Sequence, residues 1–170
     1  HQLLTTTQKL ICANSREEVA EIVATAAVEV LDHNLTVVYT ADDTNGELLT
    51  PVSWSEKIES TFGTPPIQRE DAALGNAIES SEPVFIEIND DQDTVLINKE
   101  NEIKSVVGIP LGEYGVLAVG SYEKDAFDTA DIERAQLLTV NATSALSRMK
   151  RRQELEQYET LFNTAHEKRY

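Results

Sequence analysis

The chain is 170 residues long, 41% apolar, and carries 30 acidic against 14 basic side chains for a formal net charge of −16. That length suits one domain with one core, burying roughly 70% of its unfolded surface, and no apolar run approaches the roughly 20 residues that span a bilayer. The acidity excludes nucleic-acid binding through this domain, because phosphate neutralisation needs clustered Lys and Arg, and the single cysteine, Cys12, excludes an internal disulfide or a multi-cysteine zinc site.

In chain order, Leu3, Leu4, Thr7, Leu10 and Ile11 recur at helical spacing until Asn14 breaks the pattern. Ser15 to Glu18 is a capping box, in which the Ser15 hydroxyl and the Glu18 carboxylate each serve the other's free backbone N–H. A second helix follows, with Val19, Ile22, Val23, Ala26 and Val30 on one stripe, and closes at His33 and Asn34. Leu35 to Ala41 and Glu47 to Trp54 are rich in β-branched and aromatic residues and flank the turn Asp42 to Gly46, which predicts a β-hairpin. Pro51 removes a ladder donor, so the second strand is expected at an edge or with a bulge.

Ser55 to Ile67 reads as a connector, with Gly63, Pro65 and Pro66, into a short helix over Gln68 to Ser80 that shares Leu74, Ala77 and Ile78 on one face. Pro83 to Ile88 predicts a third strand. The acidic stretch to Glu102 predicts a loop, with a turn of helix around Val95, Leu96 and Ile97. Its Asn89 to Asp93 segment lacks the ligand spacing, central Gly and final Glu of an EF-hand. Ser105 to Leu111 and Gly115 to Ser121 form a second hairpin turned at Gly112 to Gly115, and such near-continuous apolar strands are expected to be buried on both faces. Helices must then cover both sides of the sheet.

A final helix begins near Asp128 and shows no stop signal before the last residue, so the sequence reads as a piece of something longer. Leu138, Ala142, Ala145 and Met149 repeat at four/three spacing, and so do Leu155, Tyr158, Phe162 and Ala165. Between the two sets, around Arg148, Lys150, Arg151 and Arg152, a single seam would have to skip register.

Several segments, in this order and spacing, resemble a GAF domain over roughly residues 15 to 150. They are Ala73 to Ile78, Pro83 to Ile86, Ser105 to Leu111, Gly115 to Ser121, Ala126 to Asp131, and Ala142 to Leu146. The resemblance implies an α/β fold of the α+β type: a central antiparallel sheet of five to six strands flanked by helices, with a long C-terminal signalling helix. It also implies a small-molecule pocket between one sheet face and the third-helix region, near Trp54, Phe62, Ile67, Leu74, Ile78 and Phe85. All six residues serve equally well as core.

Departures from the family narrow the cofactor. Cys12 lies in the first helix rather than the pocket region, so no covalent bilin is expected, and one cysteine cannot run the disulfide cycle of methionine-sulfoxide reductases. Asn98-Lys99 and Phe127 to Asp131 partly match cyclic-nucleotide-binding relatives, but Ile132 stands where those have Glu. In the turn before the third strand, Ser81-Glu82 replaces the family's usual Gly.

No phosphate-cradling Gly-rich motif, His-based metal pair or nucleophile elbow is present, and His1 and His33 stand isolated at element ends. No metal or catalytic residue is expected. Ala165 to Arg169 faintly matches the phosphoacceptor helix of histidine kinases, with His166 as acceptor, while Tyr158, Leu161, Phe162 and Ala165 resemble the opening helix of a PAS domain.

The sequence thus divides into a sensor domain, 1–150, and a connector helix, 151–170, that could open a PAS domain. The expected function is a non-catalytic small-molecule sensor that homodimerises through its terminal helices, beside PAS or kinase domains of a larger protein. A ligand-free dimerisation spacer is the alternative. Acid spread evenly over loops and helix faces suits a halophile's cytoplasm, where a Debye length of about 3 Å at 1 M salt screens self-repulsion. The parent resembles haloarchaeal sensor kinases or transducer-like proteins.

Overall fold

The computed structural model describes residues 2–31, 35–41, 48–54, 67–68, 73–87 and 104–167. The elements run α1 (Gln2–Cys12), α2 (Arg16–Leu31), β1 (Leu35–Ala41), β2 (Leu48–Trp54), β3 (Ile67–Gln68), α3 (Ala73–Ser80), β4 (Val84–Glu87), β5 (Ser105–Pro110), β6 (Gly115–Ser121) and α4 (Thr129–Glu167). The six strands form one antiparallel sheet in the order β3-β2-β1-β6-β5-β4.

Period-2 alternation sorts the strand residues onto two faces. Val38, Val107, Ile109, Leu117 and Val119 face α1, α2 and the first half of α4, where they join Leu10, Val23, Leu138 and Ala142 in one core. Leu35, Val37, Tyr39, Val106, Val116 and Ala118 face the other way, onto Leu74, Ala77 and Ile78 of α3. All seven residues of β6 are buried, because helices cover both sides. The all-round apolar sequence of β5 and β6 has this cause.

Local chemistry sets the boundaries. The Glu18 backbone N–H donates to Ser15 Oγ at 3.1 Å, but the returning Glu18 carboxylate accepts from the Asn14 N–H at 2.9 Å rather than from Ser15 itself. Asp128 and Asp131 cap α4 reciprocally: the Asp131 N–H donates to Asp128 Oδ1 at 2.9 Å and the Asp128 N–H to Asp131 Oδ2 at 3.1 Å. Pro51 sits opposite Tyr39 while Ser53 sits opposite Val38, so Val52 is the extra residue of a bulge; β2 is no edge, since β3 pairs with its far side.

Three expectations need correction. Gln68 pairs with Leu48 in β3, so the third helix starts only at Ala73 and not at Gln68. Ile11 points to solvent, and Thr6 is buried in its stead beside Leu10. Finally, α4 is one continuous helix of 39 residues with no register skip near Arg151. The turns at 42–46 and 55–66, the loop at 88–103 with Asn89 to Asp93, Val95 to Ile97 and Asn98-Lys99, and His1 and His33 all lie outside the described residues.

Candidate functional site

On the α3 face, Leu74 and Ile78 are brought together as expected, and both are buried against the sheet. Gly108 lets the helix approach: a Cβ there would come 2.7 Å from Leu74 Cδ2. Phe85 behaves differently. Its cross-strand partner is Val107, so it lies on the opposite face from Leu74, on edge strand β4, and it is 60% exposed. Trp54 ends β2 opposite Val37, and Ile67 lies in β3; their side chains, and the whole of Phe62, are outside the described residues.

Tyr39 is the group on this face that sequence reasoning passed over. It is buried with Leu35, Val37 and Val116, and burial pushes its phenol up from the ordinary 10.0 to about 12. It therefore stays a neutral hydrogen-bonding group at any physiological pH, set among apolar side chains. The alternation in β1 already put it on the same face as Val37.

A concavity lies on the helix-bundle side. It is a groove of about 570 Å³ between α4 and the outer end of β5, with Ile109, Pro110 and Gly112 on one wall and Thr139, Val140, Thr143 and Ser144 on the other. Gly112, at φ 60°, turns the hairpin so closely onto α4 that a Cβ would meet Thr143 Cγ2 at 2.7 Å.

The long helix has two apolar faces. Leu138, Ala142 and Ala145 are core, and Met149 packs on it. At about 100° per residue, Leu137, Val140, Leu155, Tyr158 and Phe162 fall in a stripe about 60° wide on the opposite side. Together with Leu161 these residues are 57% to 71% exposed. The two sets of four/three spacing in the sequence are thus two faces of one continuous helix, which is why no skip is needed. Every side chain from Arg151 to Asn163 is exposed.

Two clamps hold α4 where it leaves the body. Arg148 donates to the carbonyl oxygens that end α1, and the β5–β6 turn holds the other flank through a Tyr114 to Ser147 hydroxyl contact of 3.1 Å. Lys150 pairs with Glu113 at 3.3 Å and lies 5.8 Å from the Tyr114 ring centroid. The hydrogen bond to Glu113 raises the Lys150 ammonium above its usual range.

The architecture matches a known domain, and the family model for the GAF domain aligns with residues 13–147. This chain belongs to the GAF domain family. The fold of this GAF domain is similar to that of the GAF domain of a phosphoenolpyruvate-protein phosphotransferase from Coxiella burnetii, with a TM-score of 0.73, 16% identity, and coverage of 90% of this chain and 95% of that one. The GAF-B domain of DevS from Mycobacterium smegmatis gives 0.63 at 18% identity, covering 82% and 99%. The free methionine-R-sulfoxide reductase of Neisseria meningitidis, solved with its substrate, gives 0.68 at 16%, covering 88% of each. None of the curated proteins matches the chain.

GAF domains generally act as small-molecule-binding sensor modules of signalling proteins, and the fold is generally regulatory, although neighbours such as that reductase are enzymes. Among the described residues no group of His, Cys, Asp and Glu could hold a metal ion, and no helix is long and apolar enough to cross a membrane. His166 lies in the last turn of α4 with its side chain outside the described residues.

Proposed function

We propose that this GAF domain is the non-catalytic sensor and dimerisation module of a larger signalling protein, and that α4 is its output line. The observation that carries this reading is the second apolar stripe of α4. It starts on the domain body at Leu137 and runs 25 residues to Phe162, about 37 Å of helix, with each of its large apolar side chains more than half exposed. Exposed apolar stripes of that length mark association, and a second copy of the same helix matches it in length and pattern.

The input is a small molecule on the α3 face. There Tyr39 supplies a polar anchor beside Leu74 and Ile78. A ligand preferring one packing of α3 on the sheet shifts the population of helix arrangements at the clamps, in proportion to its differential affinity. The closed packing of Leu74 and Ile78 favours one rival, a ligand-free dimerising spacer. Adjoining PAS or kinase domains and an archaeal parent belong to the same reading, and a salt-rich cytoplasm suits the charge of −16.

Light scattering in high salt, on the chain with and without residues 151–170, tests the dimer. A monomeric intact chain refutes it. Mass spectrometry of small molecules retained from cell extract tests the sensor; an empty domain with no thermal shift leaves the spacer.

A further inference from the structure

The groove beside α4 and the exposed stripe share a side chain, Val140, and border one another along Ser144. The groove is also neutral. In a chain whose residues are 26% charged, none of those lining it is Asp, Glu, Lys or Arg. Its polarity comes from hydroxyls and one amide instead.

The two threonine hydroxyls are already oriented. Thr143 Oγ1 donates to the Thr139 carbonyl oxygen at 2.7 Å, and Thr139 Oγ1 donates to that of Gln136 at 3.2 Å. Each threonine has thereby spent its hydrogen and keeps acceptor lone pairs. Thr139 is itself 2% exposed, so its remaining acceptor capacity is sheltered from bulk water. Opposite these acceptors stand Ile109 and Pro110. The two threonine acceptors, with the Ser144 hydroxyl and the Gln136 amide beside them, face an apolar wall, which suits a molecule with hydroxyl groups on one edge and an apolar face on the other. A volume of about 570 Å³ accommodates one of small-metabolite size. A formal charge would enter without a counter-ion, at a desolvation cost.

We propose that this groove, between α4 and the end of β5 and reaching Ser81 just past α3, binds an uncharged amphipathic molecule bearing hydroxyl groups, and that the α4 stripe of a second copy closes it. The closure rests on the dimer reading above; the groove does not. Since a partner helix seated on Leu137, Val140 and Ser144 covers the open side, ligand and partner stabilise each other's binding. Coupling of this kind is reciprocal by necessity.

The test is amide chemical-shift titration of the whole chain with 4-nitrophenyl β-glucoside, which has an apolar ring and hydroxyl donors, against 4-nitrophenyl phosphate, its charged counterpart. The glucoside is expected to move the amides of Thr139, Val140, Thr143 and Ser144, and the phosphate to leave them in place. Ser144→Trp and Val140→Lys, both at exposed positions, should abolish the response while the fold, checked by circular dichroism, is kept. Leu137→Glu, outside the groove, should give a monomer that still responds at the same amides with about tenfold weaker affinity.

Silence at those amides, an equal response to the phosphate, or a response surviving both groove variants overturns the site. If the Leu137→Glu monomer binds as tightly as the dimer, closure by the partner is wrong and the dimer stands. If the unmodified chain is itself monomeric, the dimer and the closure both fall, and the glucoside response of that monomer decides the groove alone.

Discussion

Arg148 donates through Nη2 to the Leu10 carbonyl oxygen at 3.1 Å and to that of Ile11 at 3.1 Å. Both carbonyls lie in the last turn of α1, where a helix leaves acceptors without intrahelical donors and concentrates its negative dipole end. One cation thus caps the first helix from the last, at the level where α4 departs from the body. Replacing it by Met keeps the apolar stem and removes the donors. Arg148→Met should lower stability by about 1–2 kcal/mol, read as a shifted denaturant midpoint with unchanged slope, and should raise hydrogen exchange in the last turn of α1.

Two adjacent leucines of α4 should respond in opposite ways. Leu138 is 1% exposed in the core, so Leu138→Glu buries an unpaired carboxylate and should cost over about 3 kcal/mol, enough to unfold a marginal domain. Leu137 lies on the exposed stripe, so Leu137→Glu should stay within about 0.5 kcal/mol of the parent when both are measured dilute enough for the parent to be monomeric. Thermal melts on the two variants decide it, and an equal loss in both would mean that the Leu137 face of α4 is buried as well.

How far the sequence disclosed this arrangement follows from the range of each signal. The Ser15 cap, the start of the last helix near Asp128 and the irregularity at Pro51 were legible because each depends on a few adjacent residues, whereas the return of the Glu18 carboxylate to Asn14 instead of Ser15 was not. The apolar continuity of β5 and β6 disclosed burial on both faces for a similar reason. Gln68 was misread because a two-residue strand has no periodicity; only its pairing with Leu48 defines it. The face of Ile11 depends on how α1 rolls against α4, which the Asn141 to Thr7 and Arg148 contacts fix across more than 130 residues of chain. As for the candidate site, Leu74 and Ile78 were found by helical spacing, whereas the groove brings together residues of β5, a turn and α4 that no local pattern connects.

Gly115 should be nearly irreplaceable. It pairs with Thr40 across the β1–β6 ladder, and a Cβ there would overlap the Tyr39 carbonyl oxygen, which is backbone and cannot swing aside. Gly115→Ala should therefore cost about 3 kcal/mol through forced separation of the two central strands. Gly108→Ala meets only the end of the Leu74 side chain and should cost less. Ranking the two by chemical denaturation checks the argument.

Tyr39 sets a pH limit on stability. Burial raises its folded pKa to about 12 from the ordinary 10.0, so the folded state holds the phenolic proton over a range where the unfolded chain releases it. With the unfolded state binding fewer protons, stability must fall as pH rises from about 10 towards 12, and below about 10 this group contributes no slope. The full shift corresponds to about 3 kcal/mol, at 1.36 per unit. Tyr39→Phe removes the titrating group and keeps the ring against Leu35 and Val116. Its denaturation midpoint should accordingly be flatter than the parent's between pH 10 and 12, and parallel curves for the two proteins would assign the alkaline loss to other groups.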